Sequence, residues 1–125
     1  CLPYQPLSEL KYSLSSAAVH LVTLGNPRVG IIHPCTAYGA MAIGRPFLMV
    51  GPRPSHLADI LDEHGVGWQT PHGDVDAAAD LLRKIAGSDP ATLRDMGRRA
   101  QEAVSGRFSM KRICGAFCDV VERGI

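Results

Sequence analysis

The stretch of sequence that decides the fold is VHLVTLGNPRVGIIHPCTAYGAMAIGRPFLMV, residues 19–50. Residues 19–24 form a compact apolar run rich in β-branched side chains, bounded by a Gly-Asn-Pro sequence, and this pattern predicts a buried strand. Residues 25–33 contain two glycines and a proline, which predict a loop. A helix is expected over residues 34–43, because proline fits the first helical position, and Phe47–Val50 predicts a second strand. A strand, a crossover helix and a second strand are the repeating unit of a parallel sheet.

The rest of the chain continues to alternate between helix and strand. We therefore predict an α/β fold in which a partial Rossmann-like parallel sheet of about three strands is flanked by helices. Residues 1–125 are expected to form a single, partial domain. The other predicted elements are a helix over residues 8–16, a helix ending at Gly65, a strand over residues 66–70, a helix over Val75–Ala86 capped by Asp74, a helix from Asp89 and Pro90 to about Val104, and a last helix capped by Ser109.

Two helix faces are expected to be packed. In the helix over residues 34–43, the small side chains of Cys35, Gly39 and Ala42 predict a close approach to a neighbouring backbone. The last helix is amphipathic, and its apolar face is expected to join the core. That face consists of Met110, Ile113, Cys114, Phe117 and Val121.

The four cysteines, at positions 1, 35, 114 and 118, follow neither a disulfide nor a zinc spacing. Cys114 and Cys118 lie one helical turn apart on the expected core side with no histidine beside them, which predicts packing rather than a metal site. Unpaired cysteines and the lack of a signal sequence predict a reducing, cytoplasmic location. The chain begins at Cys1 rather than at a methionine, which suggests a piece of a longer protein.

Composition excludes several classes of protein. Apolar residues make up 46% of the chain and charged residues 20%, which is ordinary globular usage and excludes disorder. Thirteen basic and 12 acidic side chains give a net charge of +1, so nucleic acid is not an expected partner. The apolar runs are too short to span a bilayer.

The loop before the second helix carries the strongest physical signal of a site. It follows a buried strand and leads into a helix whose first N–H groups are free, which is the geometry of an anion site. The same loop also fits the simpler role of turning the chain. His33 and Cys35 lie at a loop-to-helix junction with no orienting side chain nearby, which argues against a nucleophilic pair. The common nucleotide-binding and hydrolase motifs are absent.

A succession of motifs gives the chain a family resemblance. GIIHPCTAYGAMAIGRPFLMVGP, at residues 30–52, is followed by EHGVGW, PHGD, DPATLRDMGRRA and RFSMKRICGAF in that order. In these motifs the chain resembles, over almost its whole length, the carboxy-terminal donor-binding half of group 1, or family 4, glycosyltransferases of the GT-B fold. The resemblance implies a parent enzyme with two Rossmann-like domains and a nucleotide sugar bound between them.

The resemblance also implies a donor-binding site, which comprises Gly30, Ile31, Ile32, His33, Thr36, Tyr38 and Gly39. In the family, loop amides matching residues 30–33 hold the donor, and two glutamates bind its sugar and ribose. Ile31 and Gly39 stand at the glutamate positions, and neither side chain accepts a hydrogen bond from a hydroxyl. A PSKxYG pattern of some subfamilies is resembled by residues 34–39, with Thr36 in place of lysine. Donor recognition would then rely on the main chain with His33, Thr36 and Tyr38; no catalytic residue, metal or other cofactor is assigned.

Three functions follow as hypotheses. The first is a glycosyltransferase donor domain in carbohydrate biosynthesis, which binds a nucleotide sugar and is inactive without an amino-terminal acceptor domain. The second is a non-catalytic binding or scaffolding module with a degenerate fold, and the third is a fragment similar to a nucleotide-sugar epimerase. Peripheral association of the parent enzyme with a membrane is a further hypothesis. In isolation, the edge of the strand over residues 19–24 is expected to drive the chain to form a homodimer.

Overall fold

The computed structural model describes residues 3–124 and confirms the alternation of strands and helices. Cys1, one of the four cysteines, lies outside the described residues. Two 3-10 turns occur within residues 3–124, at Leu7–Glu9 and Asn26–Arg28. The strands are β1 (His20–Thr23), β2 (Phe47–Val50) and β3 (Gly67–Thr70), and the helices are α1 (Leu10–Ser15), α2 (Cys35–Ala42), α3 (His56–His64), α4 (Val75–Ala86), α5 (Pro90–Ser105) and α6 (Met110–Arg123).

The sheet is parallel, with the strand order β1-β2-β3. In its register His20 lies beside Phe47, and Phe47 lies beside Gly67. Helix α2 connects β1 to β2, and α3 connects β2 to β3. The predicted α/β fold with a three-stranded, partial Rossmann-like sheet is therefore confirmed.

The core lies on one face of this sheet. Buried side chains from α2, α3 and α5 pack against Val22 of β1 and against Phe47 and Met49 of β2. Phe47 and Met49 are fully buried, so β2 depends on cover from these helices. Removing such side chains from water supplies the main driving force for the fold.

The predicted N-caps of α4 and α5 are confirmed. The Asp74 carboxylate accepts a hydrogen bond from the Ala77 N–H at 3.0 Å, and the Asp89 carboxylate accepts one from Ala91 at 2.9 Å. Ser109 stands at the N-cap of α6, but the prediction that its side chain caps the helix is wrong. Its hydroxyl instead donates to the Gly106 carbonyl at 3.1 Å.

The predicted packing face of α2 is wrong. Cys35 and Ala42 are exposed, and the buried side chains of this helix are Ala37, Ala40 and Met41. Small residues occur on both faces of α2, so the sequence alone does not distinguish which face meets a neighbour. The close approach occurs just beyond the helix, where a side chain on Gly97 of α5 would overlap the carbonyl oxygen of Gly44.

The predicted core face of α6 is also wrong. Met110 and Phe117 are 81% and 68% exposed, and Cys114 and Cys118 are exposed as well. An amphipathic pattern shows that a helix has a face suited to burial, but the cover must come from elsewhere. No residue of α6 is buried within the described part of the chain.

The second face of the sheet is only partly covered. Leu21, Leu48 and Val50 line an apolar groove of about 300 Å³, bounded on its other side by Leu82 and Ile85 of α4. Leu21 is 61% exposed. The sheet therefore presents apolar surface beside β1.

The outer edge of β1 is unpaired among residues 3–124. The N–H groups of His20 and Leu24 bond to carbonyls of the β2 side, at 3.1 and 3.0 Å. Because backbone groups alternate in direction along a strand, those of Leu21 and Thr23 point to the open edge. Within the same described residues, no helix has the length and apolar character of a membrane span.

The contrast between core and α6 gives a stability prediction. Leu57→Ala, at a fully buried position of α3, should lower the free energy of unfolding by about 2–5 kcal/mol, because it leaves a cavity. Phe117→Ser on α6 should change it by less than about 0.5 kcal/mol, because that side chain contributes little burial. Urea unfolding followed by circular dichroism measures both, and an equal loss in the two variants would place α6 in the core.

Candidate functional site

The candidate site lies at the carboxyl edge of the sheet. All three strands are parallel, so the loops that follow them meet at this edge. These loops are residues 24–34 after β1, 51–55 after β2 and 71–74 after β3. Ligands of open α/β sheets bind in this position.

The loop after β2 is braced by the side chain of Arg53. Its guanidinium forms a bidentate ion pair with Asp62 of α3 and donates to Gln69 Oε1 of β3 at 3.0 Å. Gln69 Nε2 in turn donates to the Gly51 carbonyl at 2.7 Å. Hydrogen bonds from Arg53 hold the pKa of the exposed Asp62 carboxyl below its usual value. The start and the middle of this loop are therefore fixed to β3 and to α3.

The loop after β3 reaches across to the end of β1. His72 Nε2 lies 2.9 Å from the Leu24 carbonyl oxygen, and since a carbonyl only accepts, this nitrogen donates the hydrogen bond. The same carbonyl lies 2.9 Å from where a side chain on Gly51 would begin. The three loops thus pack closely, and a larger residue at position 51 would separate them.

The loop after β1 is exposed over most of its length. Its turn is closed by the Arg28 carbonyl, which accepts from the amides of Ile31 and Ile32 at 3.1 and 3.0 Å. Gly30 adopts a φ of 77°, which favours glycine. Ile31 is 74% exposed, so the loop presents an apolar tip to solvent.

Helix α2 begins beside this loop without a side-chain cap. Pro34 occupies the N-cap position, one residue before the predicted first helical position, and offers no side-chain oxygen. In contrast, a side-chain oxygen caps α3, α4 and α5. The first N–H groups of α2 carry the positive end of the helix dipole toward the carboxyl edge. Thr36 is exposed in this first turn.

A small cavity of about 200 Å³ adjoins the loop, between α2, α3 and the turn before α6. The rings of His33 and His56 stack there with their centroids 3.8 Å apart, and Tyr38 meets Phe108 edge-on at 5.6 Å. Burial, and to a lesser extent negative charge at Cys35, raise the pKa of Tyr38, so its hydroxyl is neutral near pH 7. Burial and nearby positive charge on His33 lower the pKa of His56.

The structure brings most of the predicted donor-binding residues to one place, but not all. Residues 30–33 and Thr36 form the exposed loop and first turn, and Tyr38 lines the cavity beside His33. Gly39 faces α1 instead, where an added side chain would begin 3.6 Å from Leu14. The amides of Ile31 and Ile32 already bond to Arg28, so they would reach a ligand only if that turn opened.

Sequence reasoning missed three side chains of this edge, Arg53, His56 and His72. Their common signal is position, since each lies in or just after the loop that follows a strand. Their contacts join residues far apart in the chain, which no local pattern reveals.

Comparison with known proteins gives one informative similarity. The chain is 36% identical over 108 residues to a protein of Pseudomonas aeruginosa named "Probable glycosyltransferase WbjE". The match covers 86% of this chain but 27% of that relative, so the chain spans about a quarter of the relative's length. No protein-family model matches the chain, and no solved structure matches it. The similarity relates this chain to part of a protein named as a probable glycosyltransferase.

Proposed function

We propose that this chain is the nucleotide-sugar-binding part of a glycosyltransferase similar to the group 1 enzymes of the GT-B fold. The single observation that carries the proposal is the uncapped start of α2 at the carboxyl edge of the sheet. The similarity to a protein named as a probable glycosyltransferase favours a nucleotide sugar as the anionic ligand of this edge.

The chemical role of this edge is to bind the diphosphate of the donor. Sugar transfer breaks the bond between the anomeric carbon and a diphosphate oxygen, and negative charge grows on the departing nucleoside diphosphate. The N–H groups of α2 are oriented before the reaction, so they stabilise this charge without reorganising. The braces at Arg53 and His72 keep the neighbouring loops in place.

Side chains near α2 would contact the sugar and ribose. His33, Thr36 and the neutral Tyr38 hydroxyl offer hydrogen-bonding groups on the first two turns and the loop before them. The Ile31 side chain cannot accept a hydrogen bond from a sugar hydroxyl, and Gly39, which has no side chain, faces α1. Sugar recognition would therefore differ from that of relatives that use two glutamates.

The acceptor and the groups that activate it would lie outside these residues. We expect the purified 125-residue chain to transfer no sugar, because it supplies only one side of a cleft. Ile31 and Gly39 also favour a second candidate, a non-catalytic binding module with the same fold. Nucleotide binding without transfer by the longest natural form of the protein would favour that module.

The introduction of a negative charge at the start of α2 tests the proposed site. His33→Glu and Thr36→Glu each place a carboxylate beside the expected diphosphate, and like-charge repulsion should weaken binding by about 1–3 kcal/mol. This corresponds to roughly 5- to 150-fold in the dissociation constant. Phosphorus NMR titration of each variant with a panel of nucleoside diphosphates measures the change.

Thr92→Glu is the matched control, because it makes the same change of charge at an exposed position in the first turn of α5, which Asp89 caps. Its affinity should stay within about twofold of the original chain. Equal affinities in all four proteins would remove the α2 edge from the donor site.

We also propose that the isolated chain forms a homodimer through the open edge of β1. A second copy can pair with the outward backbone groups of Leu21 and Thr23 and cover the apolar groove beside them. A contact at this edge would both pair the open backbone groups and cover apolar side chains. A contact at the amphipathic face of α6 would only cover apolar side chains, so the β1 edge is favoured.

Light scattering during gel filtration at about 100 μM, where even micromolar pairing is visible, measures this association. We expect a dimer for the original chain and a monomer for Leu21→Lys, because lysine on an edge strand opposes pairing. Phe117→Lys on α6 should leave the dimer intact. A monomeric original chain, or a dimer lost only in Phe117→Lys, would contradict the edge assignment.

A further inference from the structure

The tip of the loop after β1, residues 29–34, meets α3 through an aromatic contact that the proposed function does not use. Its backbone hydrogen bonds at Ile31 and Ile32 are both internal, because they end on the Arg28 carbonyl within the same turn. The stacking of His33 on His56 joins this turn to the start of α3. A change that breaks the stack would therefore free the loop while leaving the sheet intact.

The protonation of His56 depends on the surroundings of its Nε2 atom. That nitrogen is buried and has no hydrogen-bond partner, while the ring as a whole is half-buried. A neutral ring with its proton on Nδ1 leaves no donor buried at Nε2. A protonated ring carries an N–H on both nitrogens, and the buried one would lack an acceptor. Protonation in the stacked position is thus opposed by geometry.

The charged and titratable groups around His56 act in both directions. From α3, the Asp59 carboxylate favours a positive ring, and Glu63 on the same helix is already paired with Arg107 from the turn before α6. Tyr38 of α2 lines the same cavity as a neutral hydroxyl. Burial and positive charge on His33 oppose the proton, and burial is the largest effect.

We propose that the stack of His33 on His56 is a proton-operated latch on the loop of residues 29–34. With His56 neutral, the rings stack and the loop is held against α3. When His56 takes a proton, its buried nitrogen needs water, the rings separate and the loop is released.

The direction of the pH effect follows from the two states. In the open state His56 meets water and titrates near its ordinary pKa of 6.5, whereas the closed state lowers that pKa. The open state therefore binds protons more readily, and its population grows as the pH falls through 6.5. The change levels off below the pKa of the closed state. If this loop also holds the donor, which rests on the proposed function, acid would weaken nucleotide binding.

NMR of the ligand-free chain tests the latch without reference to any nucleotide. The His56 ring nitrogens and the backbone amides of residues 29–33 are followed from pH 7.5 to pH 5. We expect the heteronuclear NOE of these amides to fall on acidification, with the same midpoint as the His56 ring. Distinct midpoints, or amides that do not respond, would overturn the proposal.

Two variants separate His56 from other titrating groups. His56→Phe keeps an aromatic ring against His33 but removes the proton, so residues 29–33 should stay ordered down to pH 5. His64→Phe is the control, because His64 also has a buried, unpartnered Nε2 on α3 but packs on Phe108 rather than on the loop. It should respond to acid like the original chain, and persistent acid release in His56→Phe would overturn the latch.

Discussion

The parallel pairing of β2 with both of its neighbours is the constraint on which the other features depend. It places the ends of all three strands at one edge, so that three loops from distant parts of the chain converge there. β2 can occupy the centre only because Phe47 and Met49 are fully buried beneath α2, α3 and α5. The close contact of Gly97 with Gly44 lets α5 approach the end of α2. Packing on one side of the sheet thus fixes the geometry of the edge where we place the donor.

Apart from the exposed tip at Ile31, much of the uncovered apolar surface lies away from that edge. The open side of β1, the groove below it and the exposed face of α6 all carry side chains suited to burial. Most of this uncovered apolar surface is therefore separate from the loops where we place the ligand.

Much of the fold was predictable because its signals are local. The apolar runs of β1 and β2 gave their positions, and Asp74 and Asp89 cap the helices that they were expected to cap. Gly65 ends α3 with a φ of 59°, which a local pattern also indicates. Where the burial of a helix face depends on a distant partner, as it does for α2 and α6, the sequence prediction was wrong.

The candidate site shows the same division. The loop and helix start that contain His33 and Thr36 were predicted from a glycine, a proline and the preceding apolar run. The stack of His33 on His56 and the bonds that link Arg53 to Gln69 and His72 to Leu24 join separate strands and loops. Such contacts exist only once β2 has paired on both sides, so no short motif encodes them.

The central claim is that the carboxyl edge of this sheet binds a nucleoside diphosphate. The most direct measurement is the change in backbone amide chemical shifts when the chain is titrated with the nucleoside diphosphate that binds it best. The account predicts that the largest changes fall in residues 24–36, with smaller ones in residues 51–55 and 71–74. Changes centred on the opposite edge, in residues 44–46 and 65–66, or on α6, would contradict it, as would no change with any nucleoside diphosphate at millimolar concentration.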